Sequence, residues 1–122
     1  KLITVKGVKN MDYFDRIQKA VDYIELYLTD ELDLEEVARE AYCSLFHFHR
    51  VFQVVVGDSV KEYIRKRRLS LAGRELATTC VKVLDVALKY GYETPEAFTK
   101  AFKKYHHCTP YLCRKNGAYN FR

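Results

Sequence analysis

In the stretch SLFHFHRVF, residues 44 to 52, the side chains able to meet a partner are Phe46, His49 and Arg50, and Gln53 follows at the same helical spacing. At about 100° per residue these four share one face of a helix, while Phe48, Val51, Phe52 and Val55 form an apolar stripe on the other. An aromatic ring, an imidazole, a guanidinium and a carboxamide side by side supply stacking and hydrogen bonding, the chemistry of recognition. Bond-making chemistry has no comparable set. His47 and His49 lie two apart and diverge on a helix, whereas paired helical ligands need a separation of three or four. His106, His107 and Cys108 cluster at a helix end, where a loop terminus with ordinary side chains explains them. No glycine-rich phosphate loop, paired-carboxylate motif or Ser-His-Asp set is present. Neither catalysis nor a cofactor or metal is expected.

The 122 residues suffice for one domain, and a 48% hydrophobic content suffices for its core. The net charge of +5 is unevenly placed: seven basic residues stand against two acidic from Ser59 to Lys82, and two against five from residue 33 to 58. A polyanionic partner is thereby permitted, on the middle and C-terminal third. No apolar run approaches the roughly 18 residues that span a bilayer, and no signal peptide is evident. A cytoplasmic protein that does not engage a membrane is expected. Cys43, Cys80, Cys108 and Cys113 form no C-x-x-C pair and read as reduced structural thiols.

These residues need helices to position them. Phe14, Ile17, Val21, Ile24 and Leu28 predict an amphipathic helix from Met11 to Tyr27. Asp33 and Glu36 predict a capping box for a short helix over 34–41, Ser44 caps the helix described above, and Ser59 with Glu62 opens a further helix to about Ala77. No strand alternation appears, so the chain reads as all-α. Residues 37–63 also echo residues 86–113: Val37-Ala38 matches Val86-Ala87, Tyr42 matches Gly91, Ser44 matches Thr94, and Phe48 and Phe52 match Phe98 and Phe102. The offset is 49 and then 50, the extra residue being Glu93 in the turn. Each copy is a short helix, a tight turn and a capped second helix, the helix-turn-helix plan. In the second copy Thr94 is the cap, Pro95 the favoured first-turn residue, and Glu96, Thr99, Lys100 and Lys103 form the outward stripe. The expected organisation is a tail over 1–10, a first helix-turn-helix subdomain over 11–58, a linker helix over 59–78, a second subdomain over 79–117 and a tail over 118–122.

Two motifs carry a family likeness. SLFHFHRVFQVVVGDSVKEYIRKRRLSLAGREL and DVALKYGYETPEAFTKAFKKYHHCTP resemble the DNA-binding domain of the AraC/XylS family of bacterial transcription regulators, over Phe14 to Lys115, in its compact MarA/Rob-like form. The resemblance implies seven helices, with two homeodomain-like helix-turn-helix units joined by a long central helix. It also implies that each second helix enters a major groove of promoter DNA, that the domain acts as a monomer, and that it activates transcription. A helix over 59–77 is about 28 Å long at 1.5 Å per residue, comparable with the roughly 34 Å between successive groove faces. On chemistry alone Arg50 and Lys100 can donate to guanine, Glu96 can accept from cytosine N4, His49 can meet a purine and Phe46 a thymine methyl. Gln53, Thr99 and Lys103 suit phosphates or a neighbouring base. His47 belongs to the same helix start, and backbone amides near Ser44, Thr94 and Thr109 are phosphate donors. Of the run Arg65-Lys66-Arg67-Arg68 only some can face DNA; Arg65 is the candidate.

Alternatives stand beside these assignments. Arg50 and Lys100 could lie on a solvated face, Phe46 could pack on a neighbouring helix, and Glu96 could serve only the helix dipole. Glu35, Glu36 and Glu40 form either a solvated face or a surface for RNA polymerase or for an effector-binding domain outside this chain. The chain also departs from the family pattern. Tyr42 stands where a turn glycine is common, Lys82 where a cap is expected, and Cys113 where an aromatic is usual. The competing functional class is a helical protein-interaction or thiol-sensing module with only non-specific affinity for DNA.

Overall fold

The computed structural model of the protein describes residues 12–117; the expected tails over 1–10 and 118–122, and Met11, lie outside the described residues. Among the described residues there are seven helices and no strand: α1 (Tyr13–Leu26), α2 (Leu34–Glu40), α3 (Leu45–Val56), α4 (Val60–Thr78), α5 (Val83–Lys89), α6 (Pro95–His106) and α7 (Pro110–Asn116). They form two compact units that divide inside α4, between Tyr63 and Ile64.

In the first unit Asp12 caps α1 by accepting from the Asp15 amide at 2.9 Å. The buried face of α1 is Ile17, Ala20 and Ile24, with Leu28 just beyond its end. Phe14, expected on that stripe, is instead 71% exposed: it lies on the first turn, and the cover over α1 begins one turn later at Ile17. The seven-residue α2 buries Val37 and Ala38. Asp33 caps it by accepting from the Glu35 amide at 3.0 Å. The expected capping box is not made: Asp33 serves the second helical amide, where the box needs the third, and the Glu36 carboxylate is taken by the Arg39 guanidinium one turn along. On α3, Phe48 and Phe52 are fully buried with ring centroids 5.5 Å apart. Tyr63 packs edge-on against Phe52, and its hydroxyl donates to Glu25 at 2.7 Å, tying the first turns of α4 to α1.

The second unit is built on Leu69, Ala72 and Leu76 of α4, Val86 and Ala87 of α5, Phe98 and Phe102 of α6, and Cys113 of α7. The helix expected as a linker therefore supplies core residues, since its apolar positions are as deeply buried as those of α6. Lys82 leaves α5 without a side-chain cap. Its other end is held better: the Lys89 ammonium and Tyr90 hydroxyl both donate to Glu75 on α4, at 3.0 and 3.2 Å. His106, expected to be an ordinary loop-end side chain, is a core residue. Its Nε2 lies 2.8 Å from the Leu69 carbonyl oxygen and its ring 4.3 Å from that of Phe102. The signal was its place one turn after Phe102 on the apolar stripe.

The repeat seen in the sequence extends to individual hydrogen bonds. After α2 the Tyr42 amide donates to Arg39 O and the Cys43 amide to Ala38 O, both at 3.0 Å. After α5 the Gly91 amide donates to Leu88 O at 3.1 Å and the Tyr92 amide to Ala87 O at 2.9 Å. These are Schellman-type stops, which need a left-handed residue. Gly91 supplies it at φ 91°; Tyr42 adopts it at φ 56°. The helices α3 and α6 end alike, on Gly57 (φ 94°) and His107 (φ 66°). Phe98 and Phe102 reproduce the 5.5 Å separation of their counterparts.

A methyl group placed on Gly91 would meet only the end of the Arg68 side chain, at an ordinary 3.7 Å. Gly91→Ala is therefore expected to destabilise the second unit through the backbone alone, by about 1–2 kcal/mol in urea unfolding. Two groups make this unit sensitive to alkali. Burial, reinforced by Glu75, pushes the Tyr90 hydroxyl up to about 12, and burial pushes the Cys113 thiol up to about 11. Both are raised from ordinary values of 10.0 and 9.0, so folding favours their protonated forms. That stability is complete below about pH 9 and is lost as the pH climbs through 11 and 12. Urea midpoints should fall between pH 9 and 11, and Cys113→Val should flatten the fall; an unchanged slope in the variant would remove the thiol from the account.

Candidate nucleic-acid interface

Burial of Phe48 and Phe52 fixes the rotation of α3 and turns the opposite stripe outward. Phe46, Arg50 and Gln53 are exposed, Phe46 to 74%, which rules out its packing on a neighbouring helix. His49 is half-buried, its ring 6.2 Å from that of Phe48. The Arg50 guanidinium lies over the Phe46 ring, 5.8 Å from its centroid. His47 is exposed and tied to α1, with Nε2 3.0 Å from the Tyr13 hydroxyl. In the second unit, burial of Phe98 and Phe102 likewise leaves Glu96, Lys100 and Lys103 exposed, with Thr99 half-buried.

The hydroxyls of Ser44, Thr94 and Thr109 are already used. They accept from the amides of His47, Ala97 and Leu112 at 3.3, 3.1 and 3.2 Å, so each serves as a helix cap. What these helix starts can offer an anion is the remaining first-turn amides, which have no acceptor inside a helix. In α3 these are Leu45 and Phe46. In α6 and α7 a proline, Pro95 or Pro110, opens the helix and contributes no N–H, leaving Glu96 and Tyr111.

Arg65, Lys66, Arg67 and Arg68 are all half-buried, and each is engaged with another group of the chain. Arg68 lies against the Gly91 turn, where burial lowers its pKa. Arg65 is thus less freely presented than Arg50 or Lys100. One feature beside the stripe was missed: Tyr13, His47, Arg50, Val51, Val54 and Val55 line a shallow apolar hollow on α3. Its signal was the run Val54-Val55-Val56, too long for a single buried stripe. Among the described residues, no three His, Cys, Asp or Glu side chains are grouped to hold a metal, and no helix is long and apolar enough to cross a membrane.

Two capped helix-turn-helix units, each with a packed inner face and an exposed polar face on its second helix, define a duplicated helix-turn-helix domain. Comparison with known proteins narrows the class. The helix-turn-helix domain family matches residues 37–116. The HTH-type transcriptional regulator YbfP of Bacillus subtilis is 43% identical over 100 residues, which are 82% of this chain and 34% of that protein. The HTH-type transcriptional activator AarP of Providencia stuartii is 40% identical over 98 residues, 80% of this chain and 73% of that one. The DNA-binding domain of AdpA, a global transcriptional factor solved in complex with a target DNA, superposes with a TM-score of 0.75 at 26% identity, over 83% of this chain and 91% of its own. The chain belongs to the AraC-type family of helix-turn-helix transcription regulators. It spans about a third of the length of YbfP.

Because the Ser44 cap holds the first turn that carries Phe46, Ser44→Ala should cost about 1 kcal/mol of stability. Protection of the α3 amides from hydrogen exchange should fall first at His47; uniform protection along α3 would show that the cap is not what orders this turn.

Proposed function

We propose that the domain binds double-stranded promoter DNA in a sequence-specific manner, as a monomer, with α3 and α6 entering successive major grooves. The observation that carries this reading is the repeated outward stripe: Phe46, Arg50 and Gln53 on one helix, and Glu96, Lys100 and Lys103 at the matching positions of the other. In this reading Arg50 and Lys100 donate to guanine and Glu96 accepts from cytosine, while His49, Thr99 and His47 add purine or phosphate contacts. Gln53, Lys103 and the free amides of the three helix starts near Ser44, Thr94 and Thr109 hold the phosphates. Pro95 shapes the start of α6, and Arg65 makes a secondary phosphate contact.

Unlike heads on one chain suit unlike half-sites, so no dimer symmetry is needed. The complex of AdpA with DNA supports a duplex partner, and the name of AarP supports activation. An effector-binding domain outside this chain, RNA polymerase as the eventual partner and action at the bacterial nucleoid belong to the same reading. No catalytic role is assigned.

Selection from a randomised duplex library should return two unlike boxes about one helical turn apart, with binding that weakens steeply as salt rises. Arg50→Ala and Lys100→Ala should each relax preference in one box only, at roughly 1–3 kcal/mol per lost base contact. Equal weakening on every sequence would make them phosphate contacts, and recovery of no preferred sequence would overturn specific binding.

A further inference from the structure

Phe46 is a phenylalanine that its own unit leaves 74% uncovered. Its neighbours on the outward stripe are His49, Arg50 and Gln53, and Arg50 stands between it and the apolar hollow of Val51, Val54 and Val55, so on this stripe its surround is polar. An apolar target for it must be small, and it must be bordered by acceptors for a cation, because the Arg50 guanidinium lies over the same ring at 5.8 Å. Ring and guanidinium hold each other by cation–π attraction, so the fork loses less freedom when it meets a ligand.

In a major groove one small target has this composition: the C5 methyl of a pyrimidine next to a guanine. A guanidinium donating to guanine O6 and N7 lies near the plane of that base. The next base stacks at a rise of about 3.4 Å, so a methyl on its C5 rests against the face of the guanidinium. Phe46, already against that guanidinium, walls the methyl off from water. We propose that α3 reads a pyrimidine–guanine step through this methyl: the Phe46–Arg50 pair accepts thymine or 5-methylcytosine on the 5′ side of the guanine and disfavours uracil or unmodified cytosine there. The inference rests on the DNA-binding reading and names the chemistry of its first half-site. The second unit is an internal control. Glu96 and Lys100 occupy the matching positions, and a carboxylate has no affinity for a methyl group, so the matching step of the second half-site is indifferent to it.

The test uses the full chain and a duplex recovered by selection, its first half-site being the box that Arg50→Ala relaxes. Each thymine is replaced in turn by deoxyuridine, and the pyrimidine 5′ to the guanine by cytosine with and without its C5 methyl. One thymine of the first half-site should matter: its demethylation should weaken binding about fourfold, the value of one buried methyl-sized group. At that position 5-methylcytosine should outbind cytosine by a similar factor, and Phe46→Ala, a surface change on an intact helix, should erase both differences. Demethylation at the step of the second half-site that Lys100→Ala relaxes should change nothing. If the wild-type domain treats thymine and uracil alike throughout the first half-site, or if Phe46→Ala keeps the preference, the methyl readout is overturned while DNA binding stands. Recovery of no preferred sequence would instead overturn the DNA-binding reading itself, and this inference with it.

Discussion

Everything outward in this molecule depends on a pair of phenylalanines one turn apart, buried twice. A helix of seven residues has no stability of its own in water, and α2 and α5 are both of that length. They persist because Val37 and Ala38, or Val86 and Ala87, close over Phe48 and Phe52, or Phe98 and Phe102, with all eight side chains at or near zero exposure. The same burial sets the rotation of α3 and α6 about their axes, which decides what each presents to solvent. Packing and presentation are two sides of one helix.

The architecture was legible because the signals were periodic and redundant. Core stripes, N-caps and the offset of 49 then 50 all rest on short-range spacing, and the capped helices begin within a residue or two of where the caps put them. What could not be read depended on where neighbouring elements end. Phe14 obeys the stripe of α1 but lies on a turn that no described residue buries, while His106 looks polar and yet sits where Leu69 offers a carbonyl oxygen. Glu36 had two possible partners, the helix amide and Arg39, and spacing alone could not rank them. In the candidate interface the stripe positions were legible. The half-burial of His49 and of the Arg65–Arg68 run was not, since the stripe positions alone do not say which outward side chains are partly covered.

The two outward faces share a frame and differ in chemistry. The first pairs an arginine with an aromatic ring, and the second carries a carboxylate with two lysines. The first also stands on an acidic short helix with Glu35, Glu36 and Glu40, whereas the second stands on α5, whose matching outer positions are Leu84, Asp85 and Lys89, of net charge zero. The repeated core supplies the geometry, and the residues on the solvent side, where few are constrained by packing, supply the difference.

The left-handed turn residues carry one more implication. Each helix-turn-helix motif has two such positions, one after each of its helices, and one glycine between them: Gly57 follows the second helix of the first motif, and Gly91 the first helix of the second, while Gly117, also at positive φ, follows α7 outside the motif. The partner position in each case is held by Tyr42 or His107 in the same backbone region, with the same closing hydrogen bonds. What the two copies share is therefore a dihedral angle, while the residue that occupies it differs. Distant copies of this unit will be found by asking where the chain turns left-handed, and will be missed by asking where it keeps its glycines.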